Sequence, residues 1–431
     1  MKILFRISVF SLLLCATTVR AALTIEITQG VEGALPIAVV PFGWSGNTGT
    51  APVNVAAIIS ADLKRSGRFE PLADKDLVAH PTDAAQVQMH NWRMVNVDNL
   101  VIGKVIQGTG KQYTVQYQLF DVIRGKQIAA YSFPADRLDL RRVAHHIADL
   151  IYEELTGLRG AFSTRVAYIT TSGPVSKRNY TLVVADSDGY DPQTILTSKQ
   201  PLMSPSWSPD GSQIAYVSFE KKTAEIYLQD VVSGTRRKLV AFKGINGAPR
   251  WSPDGKRLAL TLSRDGNPEI YSMDIKTGAL TRLTRNPAID TEPVWSPDGK
   301  NIVFTSSRGG SPQLYRMSAA GGKASRLTFD GNYNADADFS PDGRKIAMVH
   351  RQSGGYRIAV LDLESGALQV LTDGRQDESP SFSPNGSIII YATGEGNREV
   401  LAAVSVDGRF RQRLSLQVGN VREPSWSPFD Q

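Results

Sequence analysis

Acidic side chains recur at one position of a motif that the sequence repeats. They lie in the short segments just before an aromatic residue that is followed by Ser-Pro. The acids concerned are Asp290, Glu292, Asp336, Asp377, Glu378 and Glu423. Carboxylates gathered in this way could receive a basic side chain of a partner, bind Ca²⁺ through oxygen ligands, or form a solvated rim. The sequence leaves these three interpretations open.

A catalytic interpretation of the same acids is weaker. Two carboxylates at a suitable separation would suffice for glycoside cleavage, but acids are common and the signal is unspecific. The sequence contains no Gly-x-Ser-x-Gly motif and no Walker or dinucleotide-binding fingerprint. Of five histidines only His350 lies among the repeats, so a Ser-His triad or a histidine-rich metal site lacks its parts there. We therefore predict a binding protein without a resident cofactor, with a propeller enzyme acting on glycans or peptides as the alternative.

The repeats themselves must position these acids. Their aromatic markers, spaced by 44, 44, 44, 43 and 44 residues, are Trp207, Trp251, Trp295, Phe339, Phe382 and Trp426. Each period contains four short segments with strand-like alternation, and a Ser-Pro-Asp-Gly or similar turn follows most markers. Four-stranded units of this length are β-propeller blades.

The two ends of the repeat region predict how the propeller closes. Residues 164–198 supply three strands of a blade but lack the strand with the aromatic marker, and residues 422–426 supply that strand. We therefore predict a six-bladed propeller over residues 163–431, closed by the C-terminal strand, which removes an exposed sheet edge. Because the marker and its turn recur in nearly every blade, they are architectural, and function is expected where the blades differ.

Residues 22–158 predict a small α/β domain with a mixed sheet. The predicted strands are 36–42, 99–106, 113–122 and 127–133, and the predicted helices are 54–66, 83–92 and 140–155. His145 and His146 are adjacent on the last helix, where neighbouring side chains point about 100° apart. They cannot chelate one metal together, so we predict one histidine at the core edge and the other in solvent.

An alternating segment precedes the first apolar strand of this domain. Its apolar members and the glycines that follow are Leu23, Ile25, Ile27, Gly30 and Gly33. Such a segment can pair with the body of the protein as an edge strand or be free to bind a partner. Both interpretations stay open at this point.

The first 21 residues are predicted to be an export signal. A basic start, an apolar run too short to span a bilayer and a small-x-small site at residues 19–21 support this. The alternative is a lipoprotein signal at Cys15, although Leu14 is not the small residue such a site requires. Removal of the signal's three basic residues lowers the formal net charge from +6 to +3, and no long Lys/Arg run indicates nucleic acid or membrane as a ligand.

The combination of these features resembles the TolB family, periplasmic components of the Tol-Pal system of Gram-negative bacteria. The features are the export signal, the strand Pro36-Ile37-Ala38-Val39-Val40-Pro41-Phe42, the small α/β domain, and the blades that end in Pro424-Ser425-Trp426-Ser427-Pro428. The blade motif alone occurs in many propellers. Its combination with the N-terminal domain and the closing strand is far more specific.

The resemblance implies a monomeric periplasmic protein that keeps the outer membrane intact and coordinates envelope constriction during cell division. Its propeller would bind the peptidoglycan-associated lipoprotein Pal, peripherally attaching the protein to the outer membrane, and its segment Leu23 to Gly33 would report to the inner-membrane protein TolA. Bacteriocins and other outer-membrane lipoproteins would be further partners. With Asp290 added from the acidic set, the predicted Pal site comprises Ile245, Asn246, Gly247, Ala248, Asp290, Thr291, Glu292, Asp336 and Glu378. Ile245 departs from the polar residue expected at its position.

Overall fold

The structure, a computed structural model, describes residues 23–30, 33–47, 49–416 and 419–430. The signal predicted for residues 1–21 lies outside the described residues. The elements before the propeller are β1 (Leu23–Gln29), β2 (Leu35–Val39), β3 (Gly43–Ser45), α1 (Val55–Arg65), β4 (Phe69–Pro71), α2 (Met89–Met94), β5 (Asn99–Gln107), β6 (Gln112–Asp121), β7 (Lys126–Asp136) and α3 (Leu140–Thr156).

The N-terminal domain is built on a mixed sheet, as the sequence predicts. Strand β2 lies parallel to β4 and β5, whereas β6 pairs antiparallel with both β5 and β7. Apolar side chains from α1, α3 and the sheet form its core. The Asn54 side chain accepts a hydrogen bond from the Ala57 amide at the start of α1, and Gly157 ends α3 with a φ of 74°.

The helix predicted over residues 83–92 is wrong. The chain forms a single 3₁₀ turn at Ala84–Gln86 and then the short helix α2. The Gln86 side chain accepts hydrogen bonds from the amides of Thr82 and Asp83, at 2.8 and 3.3 Å, which closes the turn on itself. Val87 is then extended, so the two short elements do not merge into one helix.

The propeller has six sheets, as predicted. Blade one contains β8 (Arg165–Ser172), β9 (Asn179–Asp186) and β10 (Gln193–Ser198). Blade two contains β11 (Leu202–Trp207), β12 (Gln213–Ser218), β13 (Glu225–Asp230) and β14 (Arg236–Val240). Blade three contains β15 (Asn246–Trp251), β16 (Arg257–Leu262), β17 (Glu269–Asp274) and β18 (Leu280–Arg282). Blade four contains β19 (Asp290–Trp295), β20 (Asn301–Ser306), β21 (Gln313–Ser318) and β22 (Ser325–Arg326). Blade five contains β23 (Tyr333–Phe339), β24 (Lys345–Arg351), β25 (Arg357–Asp362) and β26 (Leu368–Val370). Blade six contains β27 (Glu378–Phe382), β28 (Ile388–Glu395), β29 (Arg398–Ser405) and β30 (Arg411–Leu416), and the last strand is β31 (Asn420–Trp426).

The ring closes through β31, which pairs antiparallel with β8 and becomes the innermost strand of blade one. The Trp426 indole donates a hydrogen bond to Thr164 Oγ1 at 2.8 Å, and the Arg165 amide donates to Ser427 Oγ at 2.9 Å. The predicted closure is therefore confirmed.

Strand β1 is a fifth strand on the outer edge of blade six. It pairs antiparallel with β30, with Leu23 opposite Leu416 and Ile27 opposite Gln412. In the structure this segment therefore pairs with the body of the protein, which is the first of the two interpretations that the sequence leaves open. Among the described residues, none of the helices is long and apolar enough to cross a membrane.

Candidate functional site

Each innermost strand of the propeller carries one non-glycine residue in the left-handed backbone region. These residues, each three positions before an aromatic marker, are Ser204, Ala248, Glu292, Asp336, Ser379 and Glu423. Their φ values lie between 45° and 53°, and each coincides with a bulge in the pairing of its strand. Left-handed residues other than glycine cost of order 1 kcal/mol each, so the fold must hold them in place. We call these six residues the bulge ring.

The bulge ring lines one mouth of the central channel. All six members border a cavity of about 550 Å³, which we call the mouth cavity. Five of the six precede a proline, whose ring fixes φ at the position that follows the bulge residue. The ring therefore presents three acids, Glu292, Asp336 and Glu423, together with three small residues.

Acids of the bulge ring also join neighbouring blades. Glu292 Oε2 accepts a hydrogen bond from the Asp336 amide at 3.0 Å and one from Thr305 Oγ1 at 2.8 Å. Glu423 likewise accepts from the Ser204 amide, and Asp336 is hydrogen-bonded to Ser379. Each acid thus bonds to the next member of the ring, so these carboxylates have a structural role as well as any binding role.

Burial changes how these acids titrate. Burial, together with the neighbouring Asp336 carboxylate, raises the pKa of Glu292 to about 7. Burial likewise raises the pKa of Glu423 to about 7 and that of Asp338, deeper in the channel, to about 6. The pKa of Asp336 is raised by burial against the opposing attraction of Arg250. The mouth therefore gains negative charge as the pH rises through neutrality, or when a cation approaches.

Several residues of the predicted Pal site lie on the mouth cavity. These are Ala248, Glu292, Asp336 and Glu378. Gly247 and Thr291 lie beside the bulges of their strands, and Ile245 is 49% exposed on the loop before β15. The structure thus brings four of the nine predicted residues to the lining of the mouth cavity.

Asn246, Asp290 and Asp377 differ from the expectation that they face the mouth. All three are buried five residues before a marker. Asn246 Nδ2 donates to the carbonyl oxygens of residues 224, 242 and 244 at 3.0, 2.7 and 3.3 Å. Asp290 pairs with Arg308 at 2.6 Å and accepts from Ser306 Oγ at 2.6 Å, while Asp377 accepts from Thr393 Oγ1 at 2.6 Å. These side chains anchor the loops, because an unpaired polar group at such a buried position would be costly.

A second polar cluster joins the two domains. His145 Nδ1 lies 2.6 Å from Asp62 Oδ2, and its Nε2 lies 3.9 Å from Asp188 Oδ2 of the propeller. The potential ligand atoms of these three residues lie within 4.8 Å of one another. Arg65 pairs with Asp62 at 3.0 Å and Arg141 pairs with Asp188, so two guanidinium groups already balance the acids and oppose a metal cation. His145 is buried and His146 is exposed, as predicted.

Comparison with known proteins identifies the family. Residues 23–128 match the model described as the TolB amino-terminal domain, and residues 152–430 match the TolB beta propeller domain. The "Tol-Pal system protein TolB" of Thioalkalivibrio sulfidiphilus is 62% identical over 411 residues, which cover 95% of this chain and 94% of that protein. The chain belongs to the TolB family. The TolB crystal structure from Acinetobacter baumannii has a TM-score of 0.88 and 45% identity, covering 94% of this chain and all of that one.

A second relative agrees, and together the matches place the chain in the Tol-Pal system. The "Tol-Pal system protein TolB" of Nitrosococcus oceani is 61% identical over 428 residues, covering 99% of this chain and 98% of that protein. The predicted family, fold class and six-bladed propeller are confirmed.

The mouth of this TolB-family chain also contains residues outside the predicted site. They include Arg250, Tyr333, Tyr356, Glu399 and Arg422. Arg422 Nε donates a hydrogen bond to Glu399 Oε2 at 2.8 Å. The rings of Tyr333 and Tyr356 pack edge to face, with their centroids 5.0 Å apart. The sequence does set Arg250 apart from its equivalents. It is a basic residue directly before an aromatic marker, where the other blades have Ser, Val or Asp.

Proposed function

We propose that this chain is a non-enzymatic protein-interaction component of the periplasm, whose channel mouth binds the peptidoglycan-associated lipoprotein Pal. The observation that carries the proposal is the bulge ring, which holds three acids at fixed positions around one cavity. Acids fixed in a concave, partly desolvated site favour a cationic side chain of a docking partner.

The bonding of these acids supports docking in preference to catalysis. Glu292 and Glu423 accept amide hydrogen bonds from neighbouring blades, so the fold already holds one oxygen of each carboxylate in a structural bond. The proposed docking needs no cofactor. Ca²⁺ would compete with the partner for the same oxygens.

We propose the N-terminal strand as the contact for TolA. Strand β1 is bonded to the protein along one side, through β30, and its other side is a sheet edge. Such a strand can pair with a second chain by β-strand addition. Through the two contacts the chain would link Pal to TolA, serving outer-membrane integrity and constriction during cell division.

Charge reversal at Glu378 tests the docking site. Glu378 borders the mouth cavity and its side chain is exposed, so Glu378→Lys should leave the ring's hydrogen bonds intact. We expect this variant to lose capture of the soluble domain of Pal, at least tenfold in affinity, with an unchanged melting temperature. The matched control is Glu364→Lys, at an exposed position in the loop between β25 and β26. Equal capture by both variants would refute the site.

Deletion of residues 22–33 tests the second contact. Pal capture should survive, because the bulge ring remains, whereas binding to the periplasmic domain of TolA should be lost. Retained TolA binding would exclude the segment as that contact.

A further inference from the structure

Arg250 stands between two cavities of the propeller channel. It borders the mouth cavity and also a second cavity of about 390 Å³. The second cavity contains all six aromatic markers and Asp338. Among the described residues, Arg250 is the one that the two linings share. Its side chain therefore divides the channel into an acidic mouth and an aromatic far end.

The guanidinium reaches across the channel from blade three. Arg250 Nη2 lies 3.8 Å from Asp336 Oδ1 of blade five. Its positive charge also lowers the pKa values of Glu292 and Asp338 against the effect of burial. A charge-assisted hydrogen bond would be about 2.7–2.9 Å long. The guanidinium is therefore held by electrostatic attraction at a longer distance and not by a close bidentate ion pair.

The backbone of Arg250 is fixed while its side chain has room on both sides. Residue 250 pairs with Ala259 of β16, and its carbonyl accepts a hydrogen bond from the Trp295 indole at 3.2 Å. On the far side, the second cavity is lined by the carboxylate of Asp338, which can receive a cation. A swing of the side chain toward the second cavity would uncover Glu292 and Asp336.

We propose that Arg250 is a specificity-determining residue that competes with the docking partner's cationic group for the acids of the mouth. The proposal rests on the proposed function and deepens it. With Arg250 facing the mouth, Glu292 and Asp336 already have a counter-charge, so weakly cationic ligands gain little. A partner gains the full attraction of the ring only if its own cation displaces the guanidinium toward Asp338.

Ca²⁺ alone is a suitable probe of this competition, because it needs no partner protein. Calorimetric titration should give Arg250→Gln at least about tenfold tighter Ca²⁺ binding than the wild type, since a unit charge a few ångströms away is removed. Arg250→Lys keeps the charge and should behave like the wild type. Arg316→Gln removes an exposed arginine of β21 and is the control for net charge. Because the expected change is a gain of binding, misfolding cannot imitate it.

The soluble domain of Pal is the second probe, and we expect Arg250→Gln to bind it several-fold more tightly than the wild type. Ca²⁺ affinity that is equal in Arg250→Gln and the wild type would overturn the competition. Pal binding that is unchanged or weakened by Arg250→Gln would overturn the role in docking. If no variant binds Pal while the difference in Ca²⁺ affinity holds, the proposed function fails and the control of cation access by Arg250 stands.

Discussion

The carboxylate of Glu292 accepts a hydrogen bond from the backbone amide of Asp336 in the next blade, at 3.0 Å. The same carboxylate is pushed toward its protonated form by burial and by the Asp336 side chain, which raises its pKa to about 7. One group thus joins two blades and titrates near neutral pH. Its two roles can be separated by mutation.

Glu292→Gln should stabilise the protein at alkaline pH. The folded-state pKa lies above the ordinary value of 4.5, so protonation favours the folded state. This contribution is complete below about pH 4.5 and is lost as the pH rises through about 7. Gln keeps an acceptor oxygen for the Asp336 amide and carries no charge. We expect a gain of about 1–3 kcal/mol in the free energy of unfolding at pH 8.5, shrinking toward pH 5, measured by urea denaturation. Glu364→Gln, at an exposed position, should show no such trend.

Docking of a cationic partner should strengthen as the pH rises. The pKa values of Glu292 and Glu423 are both raised to about 7, so these acids must lose protons to attract a cation fully. We expect the affinity for the soluble domain of Pal to rise about tenfold from pH 5.5 to 7.5 at constant ionic strength. The double variant Glu292→Gln, Glu423→Gln should flatten this dependence. A wild-type affinity that does not vary with pH would contradict the titration of the mouth.

His145→Asn should weaken the junction of the two domains. Burial disfavours the imidazolium, but Asp62 and Asp188 outweigh it and raise the pKa of His145, with Arg65 opposing. Because the folded-state pKa is raised, the stabilisation is complete below the ordinary value and is lost as the pH rises through the folded-state value. We expect a loss of about 2–4 kcal/mol near pH 6 and a smaller loss at pH 9. Arg141 and the Asp186 carboxyl, whose pKa burial raises to about 6, face the same cluster.

Thermal melts of the two variants His145→Asn and His90→Asn provide the comparison. His90 lies exposed on α2, away from the junction. Its replacement should leave the melting temperature within the error of the wild type. Equal melting of the two variants at pH 6 would show that the cluster does not hold the domains together.

Gly67→Ala should destabilise the contact between α1 and blade six. Gly67 has a φ of 70°, and a Cβ there would lie 2.4 Å from Cγ of the buried Phe410. Gly110→Ala is the matched control, since Gly110 has a φ of 69° and nothing within 4 Å of its Cβ position. Backbone strain is therefore common to both variants. We expect Gly67→Ala to be less stable than Gly110→Ala by about 1–3 kcal/mol in urea denaturation, and similar stabilities would contradict the clash.

The architecture was predictable because its determinants are local and repeated. Markers at intervals of 43 or 44 residues predict the blades, and the missing strand of blade one predicts the role of β31. The sequence predicts one helix over residues 83–92, but the Gln86 side chain closes a turn there, which the spacing of apolar residues does not report.

The site was predictable in place but not in detail. Acids before the markers indicate the mouth, yet the sequence does not distinguish Glu292, which borders the cavity, from Asp290, which pairs with Arg308. Two positions along a strand put both on the same face, and only the bulge separates their surroundings. The role of Arg250 depends on its contact with Asp336, which lies 86 positions further along the chain. Spacing in the sequence does not reveal such a contact.

Closure by β31 has a consequence for the order in which the molecule assembles. The Arg165 amide bonds to Ser427 across 262 residues, so the first blade cannot be completed until the last strand of the propeller is available. Contacts between residues so far apart in the sequence form slowly, because the chain must lose conformational entropy in closing the loop before the contacts can stabilise it. Before that moment the propeller is an open arc in which the inner edge of β8 has no partner strand. We therefore expect the newly made chain to be most vulnerable to strand exchange and proteolysis just before this last step.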